Sequence, residues 1–556
     1  MISKPDPITS EVVRNAYNAI ADDMSAMIAR SAYSPIIYEA HDYGIALFDS
    51  QARLLGQYAG LPLFTGGLDA GLKATIDRYG LESLRDGDVF TVNDSYITGG
   101  HLNDVDVIGV VADEEEILGF IAIRAHWADI GTAEPGFPVN SRNIFQEGVR
   151  WGPTKIMDRG EWVRDVVDLL CLNSRVPTTL MGDLKAQIAA INLGSERLLW
   201  LKKRFGQPVL EACATQIFDT TDAKFRNFIR SIPDGVYVAD GTSDNDGVTD
   251  DPVYAKVSVT IKDDVMVVDT AGSSPQRAGN LNTGFANTVS AVRLALALLY
   301  PDREPDINDG SFRAMQVKAE PGSIYAAEAP APCMRPHPVM LLIDLIIKAL
   351  SEVIPDNVAA GLPGDSWNIF LIGQNPATGR PFTSGEALDG GWGASVQGDG
   401  VSAVIHSAAG DFRNMPVETL EHRAPVLIKR LELGQDSGGV GRFRGGQNIV
   451  REYVALADMT VTLHFDRSVT PQWGLFGGGS GAAPKVTVYS KDRPDGLVLR
   501  KVEQLPLRAG DSFVAETGGG GGYGDPSERP RHLVEQDLRN GVISLDQARA
   551  AYGWEA

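Results

Sequence analysis

The sequence predicts an α+β fold: one large interwoven chain with mixed and antiparallel sheets, a β-rich middle and a glycine-rich C-terminal region. Three observations predict it. Amphipathic helical stretches and short β-rich runs are interspersed along the chain. Several β-rich runs are joined by short turns, as antiparallel hairpins require. The 60 glycines and 31 prolines among 556 residues demand many turns and short strands.

Residues 10–31 carry Val12, Val13, Ala16, Ile20, Met24, Met27 and Ile28 at helical spacing. Ser10 is the expected cap, Glu11 suits the positive end of the helix dipole, and Pro35 prevents continuation. Residues 44–58 read as a hairpin about an Asp-Ser-Gln turn. A helix over 67–79 precedes a strand over 88–94. The runs 104–111 and 117–127 form a second hairpin about the acidic turn ADEEE. Helices follow over 183–204 and 208–231, and Pro233-Asp234-Gly235 marks a boundary. The middle region alternates strands with a helix at 288–300, and another helix spans 338–353. From 384 onward the chain is glycine-dense, with strands over 425–433, 448–465 and 484–500. The tail from 529 reads as an amphipathic helical pair. The expected regions are therefore 1–232, a metal-binding α+β part; 233–383, β-rich with helices; 384–528, glycine-rich β; and 529–556, the helical tail. At roughly 150 residues per domain the length allows two to four domains, yet no repeat or long linker divides them.

Composition excludes several classes. Hydrophobic content of 43% and charged content of 22% are those of a globular protein. A net charge of −22 argues against a nucleic-acid surface, which needs clustered Lys and Arg. The longest apolar runs, near 290–300 and 338–350, fall short of the ~20 residues of a membrane span. Cys171, Cys213 and Cys333 are widely spaced with no CxxC, so neither a disulfide framework nor a cysteine zinc site is supported. The N-terminus shows no apolar signal segment, and a cytoplasmic location is expected.

The chemistry gathers in one stretch. Gly99-Gly100-His101-Leu102-Asn103-Asp104-Val105-Asp106 opens the second hairpin, and Arg124-Ala125-His126-Trp127-Ala128-Asp129 closes it. Antiparallel pairing about the acidic turn sets Asp104 opposite roughly 124–126 and His101 level with roughly 127–129. Cross-strand neighbours lie ~5 Å apart, so two histidines and at least one aspartate could share an ion. Neutral imidazole and carboxylate suit Zn²⁺, Mn²⁺ or Fe²⁺. His101, Asp104 and His126 supply three ligands, and Asp42 could supply a fourth, although pattern alone does not tie it to the hairpin. Asp106 or Asp129 could support a ligating histidine. The bland alternative is a set of polar turn and strand-end groups.

Other motifs carry less. GGGGGYG (518–524) contains G-x-G-x-x-G, but Asp525-Pro526 follows and the chain ends in helix without the second strand a dinucleotide fold needs, so it reads as a turned loop against a neighbouring surface. GGVGRFRGG (438–446) reads as an ordinary hairpin, although Arg442 or Arg444 could hold a phosphate or carboxylate. The sequence has no G-x-x-x-x-G-K-[ST] and no G-x-S-x-G.

The chain resembles the hydantoinase B/oxoprolinase family. The matching stretches run nearly end to end. They include SAYSPIIYEAHDYGIALFD (31–49), GDVFTVNDSYITGGHLNDVDV (87–107), RAHWADIG (124–131), NIFQEGVR (143–150), GDLKAQIAA (182–190) and VDTAGSSPQRAGNLN (268–282). NMPVETLE (414–421), DSGGVGRFRGGQ (436–447) and TGGGGGYGDPSER (517–529) follow. The resemblance implies one divalent metal ion, zinc first and manganese or iron next, held by Asp42, His101, Asp104 and His126. It implies that ATP binds a hydantoinase A-like partner subunit, which phosphorylates a cyclic amide that this chain then opens. Asp104 or Asp129 would take the proton from water, with Asp129 behind the His126 ligand. A hetero-oligomer is expected, with a homodimer core as an option and the contact near the glycine-rich region. Two alternatives remain: a subunit of an ATP-dependent ketone carboxylase, and a metal-stabilised assembly subunit without chemistry. The chain departs from the family pattern at Asp94-Ser95-Tyr96 and Asp129-Ile130-Gly131-Thr132, beside the site rather than at the four ligands.

Overall fold

The first helix begins earlier than its apolar pattern suggests. In the computed structural model, which describes residues 5–58, 60–113, 116–133, 138–302 and 306–555, it spans Pro7–Ser31. Asp6, not Ser10, is its cap: Asp6 Oδ1 accepts hydrogen bonds from the backbone of Ile8 and Thr9, each at 3.0 Å. Pro7 at the first helical position needs no hydrogen-bond partner, which moves the start outward and leaves Ser10 buried inside the helix. Residues 1–4, and Glu114 and Glu115 of the acidic turn, lie outside the described residues.

Seven strands form the first sheet: β1 (Tyr43–Asp49), β2 (Leu54–Tyr58), β3 (Val89–Val92), β4 (Asp104–Asp113), β5 (Glu116–His126), β6 (Thr154–Asp158) and β7 (Glu161–Trp162). Their order is β2-β1-β5-β4-β3-β6-β7, all antiparallel. The expected hairpins are both present. Helices cover both faces, so β4 and β5 can be apolar almost continuously. Val105, Val107, Ile121 and Ile123 pack with the helices Pro7–Ser31, Pro177–Phe205 and Gln207–Ser231. Ile108, Val110, Phe120 and Ala122 pack with the helix Leu68–Tyr79.

The same alternation sends Asp104 and Asp106 of β4, and Arg124 and His126 of β5, to the Leu68–Tyr79 side. Asp104 is directly opposite His126, and Asp106 directly opposite Arg124. Arg124 Nε and Nη2 donate to the two Asp106 oxygens at 2.6 and 3.0 Å, and neither side chain is exposed.

A second sheet, β11-β10-β9-β8, comprises β8 (Gly235–Ser243), β9 (Val253–Lys262), β10 (Val265–Asp269) and β11 (Met315–Lys318). It shares a core with the helices Phe285–Leu299 and His337–Leu350. Two further sheets pack together over Trp367, Leu463, Phe465 and Phe513. One is β12 (Trp367–Gln374), β13 (Pro381–Leu388), β16 (Met459–His464) and β19 (Val502–Leu507), in the order β13-β12-β16-β19. The other is β14 (Val426–Leu433), β15 (Ile449–Ala455), β17 (Lys485–Ser490), β18 (Arg493–Leu499) and β20 (Ser512–Glu516), in the order β14-β15-β20-β17-β18. The expected strand over 448–465 is thus two strands, β15 and β16, in different sheets. The chain turns at Leu456-Ala457-Asp458 and crosses from one sheet to the other.

The glycine-rich loops pack backbone on backbone. Gly391 N donates to Gly518 O (2.9 Å), Gly520 N to Gly446 O (3.1 Å), Gly521 N to Gly361 O (3.0 Å) and Gly522 N to Gly479 O (2.9 Å). A Cβ at Gly520 would run into the Trp392 carbonyl, so close approach is what requires glycine here. Residues 438–446 are not a hairpin; Phe443 instead bridges Tyr523. Residues 517–523 are buried, so this run is not itself a contact surface. Arg442 and Arg444 face acids rather than an open anion site: Arg444 Nε donates to Asp537 at 3.2 Å, and Arg442 lies 3.8 Å from Glu528. The helical tail pair, Arg531–Arg539 and Leu545–Tyr552, is as expected. Arg529 anchors it, donating to Asp399 (2.7 and 2.8 Å) and Asp537 (2.7 Å). No described helix is long and apolar enough to cross a membrane.

Removing Asp106 would leave the Arg124 guanidinium buried without its carboxylate. Asp106→Ala is expected to cost about 3–5 kcal/mol of stability, read from the urea unfolding midpoint.

Candidate metal centre

The approach to the site is built from tight local structure. Asp94 caps the short helix Ser95–Thr98 by accepting from Tyr96 N (3.1 Å), and Gly99 ends it with φ +85°. A Cβ at Gly99 would strike the backbone nitrogen of Asn287, and one at Gly100 would lie 2.7 Å from Asp104 Oδ2. Only glycine lets this segment press against its neighbours. A turn then closes from Asp104 N to His101 O (2.9 Å), bringing the two side chains together.

His101, Asp104 and His126 converge. One ligand atom from each lies within 4.8 Å of the others. Asp104 Oδ1 sits 3.3 Å from His101 Nδ1 and 3.3 Å from His126 Nδ1. The two imidazole rings stand edge to face, with centroids 5.0 Å apart. Asp42 arrives from the neighbouring strand end: His126 N donates to Asp42 O at 3.1 Å, and Asp42 Oδ2 lies 4.0 Å from His126 Nδ1. Strand β1 pairs with β5 as Tyr43 to Ala125, which fixes that proximity.

These positions fit a metal ion. Ligands at ~2.0–2.1 Å around a tetrahedral ion are separated by about 3.3–3.4 Å, close to the spacing of Asp104 from each histidine. The electrostatics agree. Burial pushes the Asp104 carboxyl up to about 6 and that of Asp42 up to about 7, with the Asp104 charge adding to the second shift. Burial also holds His101 down to about 4 and lowers His126. Neutral imidazoles therefore present lone pairs, and a cation would relieve the cost of two buried carboxylates.

Asp129 takes a different place. It accepts from Arg175 Nη1 at 2.7 Å, from the Arg175 backbone, and from Gly131 N at 3.3 Å. It lines, with His126 and Arg175, a cavity on that side of the site. Asp42, His101 and Asp104 line a neighbouring cleft. The two cavities share Ile36, Phe370, Gly385 and Met415.

The rest of the cleft lined by Asp42, His101 and Asp104 comes from distant sequence. His337, Asn368, Glu386 and His464 all line it. Sequence reading missed them. The one signal was Arg335-Pro336-His337-Pro338, a histidine between prolines ahead of an apolar run in a chain with eight histidines. Glu147 clamps this segment: it accepts from Cys333 N (2.8 Å) and Ser141 Oγ (2.6 Å).

A family is defined by this fold and this sequence. The chain belongs to the Hydantoinase B/oxoprolinase family, matching it over residues 6–526. It is 31% identical to the beta chain of caprolactamase from Pseudomonas jessenii, covering 99% of this chain and 96% of that one. The crystal structure of the ATP-dependent caprolactamase from that organism superposes with a TM-score of 0.92, at 28% identity over 99% of this chain and 96% of the other. A Pseudomonas protein bearing the name of a D-/L-hydantoinase B-type subunit is 30% identical, over 99% of this chain and 95% of that one. Acetone carboxylase shares the fold, with a TM-score of 0.89 at 19% identity, covering 99% of this chain and 79% of the other.

Burial pushes the Glu147 carboxyl up from 4.5 to about 8. A raised acid favours the folded state while protonated, so its contribution is full below about pH 4.5 and lost as pH rises through about 8. Glu147→Gln keeps an acceptor for Cys333 and cannot ionise. Its unfolding free energy is expected to fall less than the wild type's between pH 5 and 8, by on the order of a few kcal/mol. Parallel urea titrations at the two pH values check it.

Proposed function

We propose that this chain is the metal-dependent subunit of an ATP-dependent cyclic amide hydrolase, opening a ring that a partner A-type subunit has phosphorylated. The convergence of His101, Asp104 and His126, with Asp42 beside them, carries the reading; Asp42, His101 and Asp104 face a cleft. The similarity to the caprolactamase beta chain and to the caprolactamase crystal structure supports the substrate class. The names of the relatives, each one part of a larger enzyme, support a partner chain. A sequence without a P-loop motif is in keeping with ATP held by that partner.

Asp42, His101, Asp104 and His126 would hold the ion, zinc first and manganese or iron next. When bound, the ion supplies Lewis-acid polarisation and makes water a better nucleophile near neutral pH. The protein's own groups do the rest. His101 and His126, kept neutral by burial, remain ligands rather than acids. Asp104 stands within the cluster, where a carboxylate can receive a proton from water. Asp129, the other candidate acceptor, is held by Arg175 in the segment beside His126. Tertiary burial excludes bulk water, which strengthens each of these interactions.

The test is metal analysis of the purified full chain with reconstitution beside an A-type subunit. His101→Ala combined with His126→Ala is expected to drop metal content to about a tenth or less and ring opening at least about a hundredfold, with the fold retained by circular dichroism. Unchanged metal and activity in that double variant would sink the reading. Gly100→Ala, whose Cβ would press on Asp104 from 2.7 Å, is expected to weaken metal retention without removing any ligand. Chelator titration of the two proteins checks this.

A further inference from the structure

We infer that His337 is a substrate-binding residue of the cleft, hydrogen-bonding the ring nitrogen of the cyclic amide to be opened. This inference rests on the cyclic-amide reading above.

His337 is the first residue of the helix His337–Leu350 and lies between Pro336 and Pro338. It is 1% exposed and lines the cleft that also holds Asp42, His101 and Asp104. Neither of its ring nitrogens has a hydrogen-bond partner within the protein among the described residues. Such an imidazole costs free energy to bury, and the cost is offset where a ligand completes its bonds. The flanking prolines restrict the backbone, and Glu147 clamps the segment through Cys333, so the ring is held in place before any ligand arrives.

The chemistry of the ring selects the ligand class. Burial holds its pKa down to about 3, so the imidazole is neutral and offers one N–H donor and one acceptor nitrogen. The ring nitrogen of a cyclic amide is complementary in either state: it accepts from the imidazole N–H once the amide oxygen carries phosphate, and as an N–H it donates to the acceptor nitrogen in the unphosphorylated ring. Two charged groups of the cleft, Arg335 and Glu386, have protein partners. Arg335 Nη2 donates to Val139 O at 2.7 Å, and Glu386 accepts from Arg451 (2.7 Å) and Tyr453 (2.6 Å). His337, by contrast, has both ring nitrogens without a protein partner among the described residues.

The experiment titrates the zinc-loaded full chain with ε-caprolactam and hydantoin, following binding by ligand-observed NMR. Wild type is compared with His337→Phe and His337→Gln, and zinc content and melting temperature are measured for each. Wild type is expected to bind at least one probe. His337→Phe should bind it at least about tenfold more weakly, with zinc retained. His337→Gln, which keeps one donor and one acceptor, should stay within about threefold. Equal binding by the Phe variant, or a Gln variant as weak as the Phe variant, overturns the assignment of His337 alone. A wild type that binds neither probe overturns both this assignment and the cyclic-amide reading. If His337→Phe fails to fold, His337→Met replaces it in the same comparison.

Discussion

The buried pair of Asp106 and Arg124 is the constraint on which the site depends. It sits on the central strands of the first sheet, two pairs in from Asp104 and His126 and on the same face. A register slip of one residue would turn the Arg124 guanidinium into the apolar layer beneath the long helices, at a cost no local contact could offset. The register that satisfies Arg124 is also the one that sets Asp104 against His126. A buried ion pair is weak evidence for stability, and its desolvation is expensive. Here it selects one alignment of two strands whose remaining residues, nearly all apolar, would tolerate others.

Around that alignment, close approach replaces side chains wherever the cluster must be crowded. Gly99 and Gly100 let the turn before His101 lie against Asn287 and Asp104. The C-terminal glycine loops use the same device on a larger scale, meeting through backbone hydrogen bonds where any Cβ would collide. They brace the region of β13 and its flanking loop, which closes one side of the cleft. Glycine density far from the metal cluster is therefore part of how the cleft is built.

Membership of the Hydantoinase B/oxoprolinase family accounts for the near end-to-end sequence match and for the shared architecture with the Pseudomonas jessenii caprolactamase. The cleft shows why the chain functions as one unit. The wall that carries Asp42, His101 and Asp104 comes from the first sheet, and the cleft's other walls from the helix at His337, from β12 and β13, and from the end of β16. Residues separated by more than 200 positions face one another, so a fragment of the chain would carry ligands without a binding cavity.

The sequence by itself determined the α+β class, both N-terminal hairpins, the long helices, the tail pair and the chemical character of the His101/Asp104/His126 cluster. Those features follow from local periodicity, turn residues and a hairpin register reachable from its own turn. It misplaced the first helix cap because Ser10 is a good cap in isolation, whereas Asp6 with Pro7 is a better one four residues earlier. It joined β15 to β16 because two adjacent apolar runs look alike whichever sheet each enters. Tertiary structure alone decided the approach of Asp42 to His126, the attachment of Asp129 to Arg175, and the presence of His337, Asn368 and His464 in the same cleft. Each depends on packing between elements far apart in the chain. Spacing and periodicity carry no information about which distant surfaces meet.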